Sequence, residues 1–192
     1  ELLDPEAIEA IAKKRLRLEE SFIKDADDIH DCLLALGDLD LDEIKLRSVE
    51  ALRTKLDSTV AQLIETRRIV EVRIAGSPRL IAVEAAARYR DALGTVLPMG
   101  LPASLLEPSE AALSNLISRF ARTHGPFLPS DIAERFGVGI EVVRSTLMQL
   151  AALGRVLEGG FTPGSNAREW IEQDVLKQIK RRSLASWRQQ IE

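Results

Sequence analysis

Five cations, Lys177, Lys180, Arg181, Arg182 and Arg188, fall within the last sixteen residues of this 192-residue chain. Side chains of that kind at helical spacing can engage the phosphates of a nucleic acid. Trp170, Leu176 and Ile179 mark an apolar side of the same stretch, so an ordinary helix that buries Trp170 and solvates its charges is the competing account. Composition favours that account, because buried aromatic residues are commoner than stacking platforms. A second place for nucleic-acid chemistry is residues 132–156, "IAERFGVGIEVVRSTLMQLAALGRV". A short helix holding Ile132, Ala133 and Phe136, a Gly137-Val138-Gly139 turn and a longer helix holding Val142, Val143, Leu147 and Leu150 have the spacing of a helix-turn-helix. Its second helix would present Glu141, Arg144, Ser145, Met148 and Gln149, of which Arg144, Ser145 and Gln149 are the candidate contacts. One arginine against one glutamate draws phosphate weakly, and contact surface and packing module stand level.

Catalytic chemistry finds little support. There is no G-x-x-x-x-G-K-[ST] and no Gly-Lys pair, so no loop can cradle nucleotide phosphates in the P-loop manner. "LDLDEI", residues 39–44, resembles a magnesium-holding acidic box, but without a phosphate loop it reads as a turn and a helix start, where acidic residues suit the helix dipole. Asp28, His30 and Cys32 are close in sequence. One cysteine and two histidines cannot build the usual closed zinc site, however, and residues two apart on a helix do not share a face. His124, in "THGP", reads as a helix-end cap. No catalytic, metal-binding or cofactor-binding residue is expected, and the chain alone is expected to hydrolyse no ATP.

The bulk properties agree with a folded protein whose binding chemistry, if any, is local. Hydrophobic residues make up 45% and charged residues 29%, with a formal net charge of -4. Such a balance provides no global basic field. Residues 1–100 hold 15 Lys and Arg against 20 Asp and Glu, and residues 101–192 hold 11 against 10. The single cysteine, Cys32, fits a reducing, cytoplasmic compartment. No apolar run is long enough to span a bilayer and no signal peptide is recognisable, so no membrane partner is expected. The opening at Glu1 rather than Met is what a piece of a longer protein would show, as would processing.

The elements that must position these residues follow from periodicity. Asp4-Pro5 caps a helix with Ile8, Ile11, Ala12 and Leu16 on its apolar side. A second helix runs from about Asp25 to Leu36 and stops at Gly37, with Ala26, Ile29, Leu33 and Leu36 inward. Val49, Leu52, Leu56, Val60 and Leu63 continue a helical period, in one long helix or two abutting ones. "RIVEVRI" and "RLIAV", separated by "AGSP", read as a β-hairpin, and a helix over residues 84–93 follows. "GTVLPMGLPASLLEPS", residues 94–109, has three prolines and two glycines and is the expected linker. Ser109 is the expected cap of a helix bearing Leu113, Leu116, Ile117 and Phe120. After the helix-turn-helix, Gly154 ends the second helix and "RVLEGGF" makes a small wing. The expected fold is mainly α with small β-hairpins: two tandem winged-helix-like units, Ala26–Val83 and Glu110–Thr162, with helical extensions. The expected domains are 1–93 and 110–192, joined by 94–109.

"LLDPEAI", "DADDIHDCLLALG", "FARTHGPF", the helix-turn-helix stretch and above all "EGGFTPG", "REW" and "LKQIKRRSLASWR" together resemble the region after the motor domains in the large helicase-related (Lhr) family of superfamily 2 helicases. The resemblance spans nearly the whole chain. It implies an accessory nucleic-acid-binding and bracing segment of an ATP-dependent 3′–5′ DNA helicase with a role in DNA repair. Implied partners are single-stranded DNA or an RNA:DNA hybrid and the two RecA-like motor domains of the parent. ATP and magnesium are implied for the parent and for no residue of this chain. The modest charge of the helix-turn-helix departs from what direct strand contact by that element would need. A free-standing winged-helix regulator and a protein-interaction scaffold remain as alternatives.

Overall fold

The computed structural model describes residues 3–19 and 21–192. It divides into two compact units, one of residues 20–116 with 135–137, the other of residues 1–19, 117–134 and 138–192.

Helix α1 (Pro5–Arg15) belongs to the second unit. In the first unit lie α2 (Ala26–Leu36), α3 (Leu41–Leu46), α4 (Glu50–Arg53) and α5 (Leu56–Glu65). Then come β1 (Ile69–Ile74), β2 (Ser77–Ala82) and α6 (Ala86–Leu93). Two of these helices start at a side-chain cap. The Asp25 carboxylate accepts the Asp28 N–H at the head of α2, and Asp40 and Glu43 form a reciprocal capping box on α3. Gly37, at φ 90°, ends α2 where a side chain would be strained. Of the two readings left open over residues 49–63, the pair of short helices is correct, with Lys55 off helical geometry at φ -123°, ψ 20°. The hairpin pairs Ile69 with Ala82 through Ile74 with Ser77. Its two turn residues, Ala75 and Gly76, both have positive φ (52° and 78°), the geometry that follows the twist of paired strands. Leu39 adds a third short rung by exchanging backbone hydrogen bonds with Leu80. Ile29, Leu33, Ile44, Leu52, Leu63, Ile69 and Leu80 form the core between helices and hairpin.

The second unit holds α1, most of α7 (Ala112–Thr123) and α8 (Pro129–Phe136), and α9 (Ile140–Ala152). Strands β3 (Val156–Gly159) and β4 (Glu169–Glu172) and the terminal helix α10 (Gln173–Ile191) complete it. Three expectations are corrected here. Trp170 lies in β4 and not in a helix: Glu158 pairs with Trp170 across the hairpin, and Trp170 exchanges backbone hydrogen bonds with Phe127. The wing is therefore larger than "RVLEGGF", with residues 160–168 as its loop. That loop is tied down by the buried Glu169, whose carboxylate accepts the Thr162 N–H and hydroxyl, both at 2.8 Å, and the Phe161 N–H at 3.2 Å. Ser109 is not a cap, because α7 starts at Ala112 and the Ser109 N–H donates to Asp91 Oδ2 at 2.7 Å.

The third concerns the division of the chain. Residues 1–93 do not form one unit, since α1 packs on α10. Leu3, Ala7 and Ile11 share a core with Ile171, Val175, Leu176 and Ile179, and the Asp4 N–H donates to Ser183 Oγ at 3.0 Å. The cause is hydrophobic: each helix has one apolar side, and each covers the other's.

Candidate nucleic-acid interface

Helix α10 leaves the hairpin through Glu172, whose buried carboxylate caps it by accepting the N–H groups of Asp174 and Val175, both at 2.9 Å. Val175, Leu176, Ile179 and Ser183 point inward, so the opposite face is open to solvent. On that face Lys177, Arg181, Leu184 and Arg188 follow one another at steps of four, three and four residues, with Lys180 alongside. Residues at those spacings are neighbours on a helix. The row covers about 16 Å of helix axis. All four cations are exposed, and none has an ion-pair or hydrogen-bond partner among the described residues. Leu184, half exposed, interrupts the row with an apolar patch.

Arg182 is separated from this row. It is exposed, but it lines a depression of about 460 Å³ on the side of α1 with Glu6, Glu19 and the ion pair of Glu9 and Lys13. A third of a turn of helix thus divides the run: four cations face outward together and one faces carboxylates. The sequence holds this division, because a step of 100° per residue places Arg182 away from Lys177, Arg181 and Arg188.

In the helix-turn-helix, Arg144, Ser145 and Gln149 are all exposed on α9. Arg144 is answered locally, its Nη1 lying 2.7 Å from Glu141 Oε1 three residues earlier. The rest of the face is neutral; Val142, expected inside, is half exposed, and Met148 and Leu153 beyond it are more exposed still. Val142 points outward because Val143, Thr146, Leu147 and Leu150 already fill the inward side. The structure therefore joins Lys177, Lys180 and Arg181 in one face, with Arg188, and places Arg144, Ser145 and Gln149 together on a different helix.

The remaining candidates have structural partners. His30 Nε2 is 3.0 Å from Glu84, whereas Cys32 is in the core. His124 Nδ1 is 2.7 Å from the Phe120 carbonyl and its ring stacks on Phe120 at the end of α7. In the acidic stretch, Asp38 is buried with Arg79 and Tyr89, Asp40 caps α3, and Glu43 pairs with Arg135. Asp38, Asp40 and Glu43 are thus committed to the fold, whereas Asp42 is exposed. Arg47, next to them, has its pKa lowered by burial. Arg135 is also part-buried, but Asp38 and Glu43 more than offset that burial and raise its pKa.

Two units, each carrying helices followed by a short antiparallel hairpin, define a winged-helix protein with helical extensions. The model of the winged-helix domain of the large helicase-related protein matches residues 1–108, and the chain belongs to that family. Over 194 aligned residues it is 35% identical to the "Lhr helicase/ probable uracil glycosylase" of Mycolicibacterium smegmatis (strain ATCC 700084 / mc(2)155), which covers 100% of this chain and 13% of that protein. It is 30% identical to the "Lhr helicase/uracil glycosylase" of Escherichia coli (strain K12), over 98% of this chain and 12% of that protein. The chain thus spans about one eighth of the length of these relatives. Among the described residues no helix is long and apolar enough to cross a membrane.

Proposed function

We propose that this chain is an accessory segment of a cytoplasmic Lhr-type helicase, and that the outer face of α10 follows the phosphates of a nucleic-acid strand. The observation that carries this reading is the row Lys177, Arg181 and Arg188 with Lys180: exposed, unpaired among the described residues and held on a helix whose other side is anchored in a core. The parent would be an ATP-dependent 3′–5′ enzyme acting on single-stranded DNA or RNA:DNA hybrids in DNA repair. Its RecA-like motor domains would hold ATP and magnesium. The chain would contribute charge without sequence preference and brace the motor.

The test is the salt dependence of single-strand affinity, in the chain and in the full-length enzyme. Each lost phosphate contact lowers the slope of log K against log salt by roughly 0.7 for single strands. Substituting Lys177, Arg181 and Arg188 together by Ala should therefore lower it by about 2. Arg182→Ala should leave it nearly unchanged. Unchanged affinity and slope in the full-length triple variant would reduce the row to a solvated helix face. Tight binding of one duplex sequence would favour a regulator instead.

A scaffold role has its own support in α9, whose exposed face offers Val142 and Met148 and only one cation.

A further inference from the structure

The first unit has a cleft of about 650 Å³ between α5, the start of α3 and the outer part of the hairpin. Its volume lies in the range of protein sites that take ligands or side chains. Val60 and Ile64 of α5 and Leu80 of β2 supply apolar wall, while Asp42, Asp57 and Glu71 line the same space. None of these three carboxylates has an ion-pair or hydrogen-bond partner among the described residues.

Two nearby cations are engaged elsewhere, and Lys45 and Arg53 share a separate depression with Asp42. Arg79, which also lines the cleft, is buried and bound to Asp38 at 2.8 Å. Arg73, on the hairpin face that carries Glu71, donates to the Gly76 carbonyl at the turn. Helix α5 is the last helix before the wing, in the position that DNA-reading members of this fold set into a groove. Its solvent-facing residues, Asp57, Ser58, Ala61, Gln62 and Glu65, include no cation. A phosphate backbone laid here would meet carboxylates at close range, and like charges brought together are repelled. The complementary occupant is positive and partly apolar.

We propose that this cleft docks a cationic amphipathic protein segment, which places an apolar side chain between α5 and the hairpin and sets flanking Lys or Arg against Asp42, Asp57 and Glu71. The winged unit would then use its usual reading surface to hold protein. This does not rest on the role of α10.

The test uses the intact 192-residue chain labelled with ¹⁵N. One probe is a helical 14-residue peptide with Leu at i, i+4 and i+7 flanked by Lys, and a second carries Glu in place of every Lys. The expected result is that the Lys peptide shifts amide signals of residues 40–42, 57–64, 71, 77, 79 and 80, more tightly at low salt, and that the Glu peptide does not. Asp57→Asn with Glu71→Gln should weaken the Lys peptide about fivefold at low salt. Lys177→Ala should leave it unchanged, which separates this result from the α10 reading. Equal binding of both peptides, no shift with the Lys peptide at millimolar concentration, shifts confined to other residues, or full affinity in the double variant would each overturn the proposal. A single-stranded oligonucleotide that shifts the same amides would also overturn it.

Discussion

Asp38→Ala should be among the most damaging single substitutions in the first unit. The Asp38 carboxylate is only 4% exposed, and its Oδ2 lies 2.8 Å from Arg79 Nη1 and 3.2 Å from Arg135 Nε. Its Oδ1 accepts the hydroxyl of the fully buried Tyr89 at 2.8 Å. Arg135 would keep Glu43 at 3.0 Å, but the Arg79 side chain, 9% exposed, would lose its carboxylate. Removing one member of a buried pair costs about 3–5 kcal/mol, because the other charge stays buried without its counter-charge. Replacing both by apolar groups is far milder, so Asp38→Leu with Arg79→Met should unfold less readily than Asp38→Ala alone. Fluorescence is the wrong assay, since Trp170 and Trp187 both belong to the second unit. Amide hydrogen exchange at Leu33, Ile44 and Ile69 in the first core reports the correct unit. A cost below about 1 kcal/mol for Asp38→Ala, the level of an exposed pair, would refute the reasoning. So would a double variant as unstable as the sum of its two single substitutions.

Three further outcomes follow from the geometry. Trp170→Ala empties a strand position that is 6% exposed and should lower the stability of the second unit by about 3–5 kcal/mol in chemical denaturation followed by circular dichroism. Ala75→Asn, at a turn residue with φ 52°, should raise the stability of the first unit by about 1 kcal/mol, because asparagine tolerates that conformation better; a loss of stability would contradict the turn geometry. The Asp91 carboxyl, held by Arg90 and by the Ser109 N–H, has its pKa lowered, so its stabilising contribution is complete above the usual carboxylate range and is lost as pH falls through the lower folded value. A carbon-13 titration should find its midpoint below the ordinary aspartate value, and Arg90→Gln should move it upward.

What could be read from sequence was whatever is decided within a few residues. Asp25 and Gly37 bound α2 because a cap and a positive-φ stop act over one turn, and "AGSP" makes a hairpin because the turn closes on itself. The pairing of α1 with α10 was hidden because its partners, such as Asp4 and Ser183, are 179 residues apart and neither stretch names the other. Only the unmatched apolar sides of both helices hinted that each needed a cover. The strand position of Trp170 is hidden in the sequence for a related reason. "EWIE" is short and all four of its residues are buried, so it has neither the alternation of a half-exposed strand nor the length of a helix, and only its pairing with β3 and Phe127 decides.

Charge behaves differently from fold in this chain. A net charge of -4 conceals three outward helix faces of different character: carboxylates without cations on α5, one self-paired arginine among apolar residues on α9, and four unpaired cations on α10. The two winged units are built by the same local rules, yet neither helix that would enter a DNA groove carries a free cation among its exposed residues. The cations sit instead on the helical extension that follows the second wing. Counterion release requires positive side chains at the contact surface, so on electrostatic grounds a bound strand would be drawn to the extension rather than to either reading helix. In the proposed arrangement the first winged unit would hold protein and the extension the strand, a division of labour that the shared fold alone does not dictate.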